Sequence, residues 1–208
     1  MKKKVMWSAL FFVVLMLSAC TDQETEKTET AKADKRNVVS SAELTKREEA
    51  ILTTLSGGAY VFDYNVDPSF EKAEVWVEKY EEGRLTDDAV MKLGVMPGEK
   101  GSIILSATEE GNGHKMRFNL SISSGGTTGS SEGEDIILEE ERSLSMVWGT
   151  YPGDVRVGEG EVVLSAIGYS DEGNGMSSFA TTFYENPEEN KSDLADYDIA
   201  YVFKTKFE

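Results

Sequence analysis

Residues 101–122 read GSIILSATEEGNGHKMRFNLSI. In the second half Met116, Phe118, Leu120 and Ile122 alternate with Arg117, Asn119 and Ser121. A period of two sends successive side chains to opposite faces of an extended chain, so this is a half-buried strand. The apolar run Ile103-Ile104-Leu105 precedes it, and Gly111-Asn112-Gly113 lies between them. Glycine and asparagine tolerate the positive φ of a tight turn between twisted strands, so the segment reads as a β-hairpin.

The same grammar extends in both directions. Upstream, Tyr60, Phe62, Tyr64 and Val66 alternate with Val61, Asp63, Asn65 and Asp67; near the end the pattern returns in Tyr197, Ile199, Tyr201, Phe203 and Phe207. Short strands punctuated by glycine-rich or Asn-Gly turns predict an all-β fold, with residues 40–208 forming one antiparallel β-sandwich domain. Residues 85–97, RLTDDAVMKLGVM, fit either a short helix or an irregular strand. One helix is expected ahead of the sheet. Ser40-Ser41-Ala42-Glu43 has the form of a capping box, Leu44, Ile51, Leu52 and Leu55 share a helical face, and Gly57-Gly58 supply a stop. A helix over 42–55 would lay that stripe on a sheet, unless it merely extends the segment before it.

The opening stretch also has a counterpart. Gly101 to Ala107, then Glu110-Gly111-Asn112-Gly113 and Phe118, is answered by Gly160 to Ala166 (GEVVLSA), then Glu172-Gly173-Asn174-Gly175 and Phe179. Val75-Trp76 with Tyr80 and Gly83 is answered by Val147-Trp148 with Tyr151 and Gly153. This order predicts an internal repeat of two similar four-stranded units, about 59–123 and 134–185, packed face to face, with a last strand near 196–207. Ser124 to Gly133 has the composition of a flexible connector between them.

Ahead of the domain the chain changes character. Lys2, Lys3 and Lys4 are followed by thirteen uncharged, mostly apolar residues from Val5 to Leu17, the grammar of an export signal and too short for a membrane span. The run closes on Leu17-Ser18-Ala19-Cys20, which carries the only cysteine. This box resembles the lipobox of bacterial lipoproteins, and the resemblance covers residues 1–20. It implies a signal peptide over 1–19, cleavage between Ala19 and Cys20, and a diacylglycerol thioether on Cys20. Two acyl chains give the stable anchoring that one does not. With no second cysteine, no intramolecular disulfide forms. Residues 20–39 then comprise the lipidated cysteine and a polar stretch, TDQETEKTETAKADKR over 21–36. It has too little apolar surface to offset the entropy of ordering it and reads as a disordered spacer with a reach of roughly 25 Å.

The formal net charge is −17. Setting aside the three signal lysines and the charges of 21–36 leaves 14 basic and 33 acidic residues, about −19. A body so acidic repels phosphate polymers, which excludes nucleic acid as a partner. Its membrane contact is lipid through Cys20, and a protein or glycan partner is left unidentified.

Catalytic equipment is sparse. A serine triad needs a histidine, and the single one, His114, follows the Gly-Asn-Gly turn. One histidine and one acylated cysteine do not make a zinc site, and no phosphate-binding or dinucleotide motif occurs, so no cofactor is expected. Oxygen ligands for calcium are offered by Asp171, Glu172 and Asn174, and by Asp193, Asp196 and Asp198, although plain turn chemistry also accounts for them. Glu139-Glu140-Glu141 would project to alternating faces of a strand. Trp76, Tyr80, Trp148 and Tyr151 either fill the core or line a groove for a sugar or peptide.

These features point to a membrane-anchored extracytoplasmic lipoprotein, of the kind on the outer leaflet of a Gram-positive membrane. Its domain would be a non-catalytic binding or structural module of the cell envelope. The alternative from another class is an envelope hydrolase, glycosidase-like, using a carboxylate pair.

Overall fold

A computed structural model of the chain describes residues 36–55, 58–111, 113–137, 144–158, 160–171 and 177–208. Signal, cleavage site, Cys20 and most of the spacer lie outside them, as do Asn112, Glu139-Glu140-Glu141, Glu172 and Asn174.

The expected all-β sandwich is present, as two wholly antiparallel sheets. The first is ordered β7-β6-β5-β2-β1-β9, from Thr127–Ile136, Lys115–Ser124, Lys100–Glu110, Gly58–Asn65, Val38–Ser41 and Asp154–Arg156. The second is ordered β4-β3-β11-β10-β8, from Arg84–Val95, Ala73–Glu81, Ile199–Phe207, Val162–Asp171 and Leu144–Thr150. The quoted stretch is the β5–β6 hairpin, in register from Glu110 opposite Lys115 to Gly101 opposite Ser124. Its alternation decides which side chains go inward: Met116, Phe118, Leu120 and Ile122 are buried. They meet Val77, Leu164, Tyr201 and Phe203 of the other sheet, with the Phe118 and Tyr201 rings 5.0 Å apart, edge to face. Each fully buried side chain of this size contributes about 1.5–3 kcal/mol.

A second core lies behind the five-stranded sheet. Helix α2, Thr181–Glu185, and the 3₁₀ turn Lys191–Asp196 cover its outer face. Phe179, Phe183, Tyr184, Leu194 and Tyr197 pack there on Tyr80, Val163, Ala166, Ala200 and Val202. Strands β10 and β11 are therefore buried on both faces, which is why residues 199–203 are apolar beyond simple alternation.

Of the residues 85–97, those up to Val95 lie in the strand β4, reached from β3 by a two-residue turn at Glu82 (φ 49°) and Gly83 (φ 76°). Residues 124–133, expected as a flexible connector, instead belong to a hairpin. Gly125 (φ 57°) and Gly126 (φ 83°) make its turn, and β7 pairs with β6 along its whole length. The strand's glycines supply space rather than flexibility, since a Cβ on Gly129 would stand 2.8 Å from Val95 and one on Gly133 3.3 Å from the Met91 sulfur.

The helix α1 spans Lys46–Leu55 and follows a strand, because Val38–Ser41 pairs with both β2 and β9. Ser40 and Ser41 of the expected capping box are thus taken into a strand inside the sheet, and Thr45 and Glu48 cap the helix instead. The Thr45 N–H donates to Glu48 Oε2 at 2.8 Å, and the Glu48 N–H to Thr45 Oγ1 at 3.3 Å. The leucine stripe does not lie flat on a sheet: Leu44 is 39% and Ile51 47% exposed.

The two matched segments are not equivalent in space. Gly101 to Ala107 lies in β5, in the first sheet between β2 and β6, whereas Val162 to Ala166 lies in β10, in the second sheet between β11 and β8. Residues 58–124 contribute strands to both sheets, so the expected units 59–123 and 134–185 do not correspond to one sheet each. The first segment turns back into β6, whereas β10 pairs with β8 and β11 and is followed, among the described residues, by helix α2.

Candidate functional site

Strands β3 and β11 run side by side in the second sheet with Lys204 opposite Trp76. Val75 and Val77 point into the sandwich, so alternation turns Trp76, Glu78 and Tyr80 to the outer face, where Tyr80 packs with α2 and the 3₁₀ turn. Glu78 and Lys204 form an ion pair of 3.0 Å with both side chains 8% exposed. A buried carboxylate is tolerated only when it is paired and hydrogen-bonded. Here the Trp76 indole N–H donates to Glu78 Oε1 at 3.2 Å, and the Tyr80 hydroxyl to Oε2 at 2.5 Å. Lys204 also reaches Glu161 Oε2 at 3.1 Å.

Burial by itself would lower the Lys204 pKa, but hydrogen bonds and charge from Glu78 and Glu161 outweigh it and hold it above the usual lysine value. Burial, then the Glu78 carboxylate, pushes the Tyr80 hydroxyl well above 10.0. The Lys92 and Lys191 ammonium groups stand 5.3 Å from the Trp76 ring and 5.6 Å from the Tyr80 ring. Lys204 forms the floor of a cleft of about 470 Å³ whose rim carries Glu161, Glu185, Pro187, Glu188 and Glu189.

A larger cleft, about 740 Å³, opens at one end of the sandwich between Lys79, Glu81, Arg84, Asp135, Ile136 and Asp198. Both volumes lie in the range that small ligands fill. Lys79 Nζ is 2.8 Å from Asp135 Oδ2 and donates to the Ile136 carbonyl at 2.9 Å, while the Tyr201 hydroxyl donates to Asp135 at 2.6 Å.

Of the aromatic candidates, Trp76 and Tyr80 come together on the outer face and share Glu78. Trp148 faces the other way. It meets Tyr60 at 5.0 Å, stacks on Phe203 at 6.2 Å and donates its indole N–H to Ser165 Oγ at 2.6 Å. The two tryptophans therefore lie on opposite faces of the five-stranded sheet. Tyr151 follows β8, with its ring 6.1 Å from Tyr184 and its hydroxyl 3.4 Å from Glu185. His114 is a turn residue whose N–H donates to the Gly111 carbonyl at 3.4 Å.

Of the calcium candidates, Asp171 donates its backbone N–H to Asp198 Oδ2 at 2.8 Å. No group of three metal-ligating side chains occurs among the described residues.

Glu78 and Lys204 carried no motif. The available signal was Lys204 itself, a charge directly after the apolar run Tyr201-Val202-Phe203; alternation puts it on the outward face but does not show that α2 covers that face.

A glycosidase needs two carboxyl groups facing an open gap, one of them kept protonated. Glu78 and Glu161 have a lysine between them instead. The cluster ties β3 to β11 and neutralises the floor of the cleft.

No curated protein and no solved structure matches this chain. A family model described as the YgaN domain matches residues 38–207, from the first strand to the last, and the chain belongs to the YgaN domain family.

Proposed function

We propose that this protein is an exported lipoprotein, held by acylated Cys20 on the extracytoplasmic face of a Gram-positive type of membrane, and that its sandwich is a non-catalytic binding or structural module of the cell envelope. The box Leu17-Ser18-Ala19-Cys20 carries the reading, since it closes an apolar run behind three lysines and stands upstream of the first strand at Val38. The polar, nearly charge-balanced segment between them suits a spacer. In the domain, Glu78 is engaged by Trp76, Tyr80 and Lys204, so the most buried carboxylate among the described residues holds the fold together and is not presented to a substrate.

Cys20→Ala tests the anchor. In cells fed labelled palmitate, the unmodified protein should take up label and fractionate with membranes. The variant should be unlabelled and should appear in the medium or as uncleaved precursor. Unchanged processing and membrane retention in the variant would refute the reading.

A further inference from the structure

A strand that ends a sheet presents a row of unpaired N–H and C=O groups, and proteins blunt such edges with charge, shortness or cover. Three of the four end strands here are blunted. β4 and β7 lie against each other, with Val95 and Met91 set into Gly129 and Gly133. β9 is three residues long and carries Asp154 and Arg156.

β8 is the exception: seven residues, LSMVWGT, without a charge, and no described strand on its far side. The Tyr151 N–H donates to the Leu164 carbonyl on β10 at 3.2 Å. Alternation then turns the backbone of Ser145, Val147 and Gly149 toward β10, and that of Leu144, Met146, Trp148 and Thr150 toward the free side. Among the described residues, no backbone hydrogen bond links those four to a strand on that side. Met146 is 43% exposed, and Trp148 is half-buried beside it.

Four carboxylates bracket this edge. Asp171 stands opposite Leu144. Glu109 and the Met146 sulfur both contact the Tyr169 hydroxyl, at 3.0 and 3.3 Å. Glu185 accepts from Tyr151, and Asp154 adds its charge there.

We propose that the free edge of β8 binds an extended, lysine- or arginine-bearing peptide segment of a partner protein, which joins the five-stranded sheet as a sixth strand. Main-chain bonds to Leu144, Met146, Trp148 and Thr150 supply affinity, and alternate side chains fall beside Trp148 on one face and Val147 on the other. The charge decides the occupant. A basic segment meets the four carboxylates favourably, whereas a second copy would bring the same carboxylates and another strongly acidic body against them. The proposal deepens the binding-module reading. Its test follows peptide binding and not acylation, so the two can fail separately.

The test uses the full-length protein in detergent and a labelled synthetic nonapeptide alternating lysine with valine and threonine. Fluorescence anisotropy should give saturable binding, and amide exchange at Leu144, Met146, Trp148 and Thr150 should slow on addition. The same peptide N-methylated at alternate residues keeps its charge but loses its edge hydrogen bonds, and should bind about tenfold or more weakly, a difference of at least ~1.4 kcal/mol. Met146→Pro, which removes one free-side N–H, should weaken binding similarly. If that variant does not fold, the two peptides on the unmodified protein decide. Equal binding of both peptides, unchanged exchange at the four amides, or no binding would overturn the proposal. So would a dimer in sedimentation equilibrium that already protects those amides without peptide, since the edge would then belong to a second copy.

Discussion

Glu78 shows how little a residue's own chemistry says about its place. Its carboxylate accepts from Trp76 and Tyr80 and pairs with Lys204, while Glu161, the second partner of Lys204, is 52% exposed. Glu78→Ala leaves a buried ammonium with one half-solvated partner and should lower stability by about 3–5 kcal/mol in urea unfolding. The pair Glu78→Leu with Lys204→Met should recover most of that loss, because an apolar pair avoids the desolvation of both ions. A double variant as unstable as the single one would show that the charges are needed for more than pairing. Tyr184 is the opposite case: its hydroxyl is buried with no hydrogen-bond partner among the described residues. Tyr184→Phe should therefore change stability by no more than about 0.5 kcal/mol, or raise it. A clear loss would mean that the hydroxyl has a partner. None of this was legible in the sequence, where Glu78 and Lys204 are two charges among many and lie far apart in the chain.

Among the elements, α1 stands out by its exposure. Its first turn is closed by the Thr45–Glu48 box, and those hydrogen bonds from Thr45 lower the Glu48 pKa. With Leu44 and Ile51 exposed, the helix adds little to the cores and should open locally at a lower free energy than the sheets. Thr45→Ala, at about 1 kcal/mol for a lost cap, should speed amide exchange across α1 roughly fivefold. The global unfolding midpoint should stay where it is, and a fall of several degrees would mean that α1 belongs to the cooperative unit. The box expected at Ser40 does not cap the helix, because Ser40 and Ser41 are committed to β1 by pairing with Asp63 and Phe62. Strand β4 was ambiguous until β3 provided its partner.

For the molecule as a whole, the alkaline limit of stability follows from its buried hydroxyls. Burial, reinforced by carboxylates beside three of them, raises the pKa of Tyr80, Tyr169, Tyr184 and Tyr201 above the ordinary value of 10.0, and Lys204 also lies above 10.5. Raised folded-state values mean that this contribution is fully present below pH 10. Above it the unfolded chain releases protons that the folded one keeps, so the unfolded state binds fewer and stability falls with pH. The thermal midpoint should accordingly drop steeply above pH 10, and a midpoint flat to pH 11 would contradict the raised values. The same scale separates what the chain announces from what it conceals. Alternation and turn residues determined the all-β class, the β5–β6 hairpin and the inward set Met116, Phe118, Leu120 and Ile122, because each rests on local backbone geometry and a period of two. Sheet order, the second core under α2, the ion pair beneath it and the bare edge of β8 were decided only by tertiary structure. These depend on which distant strands pair, and period-two patterning fixes a face without naming a neighbour.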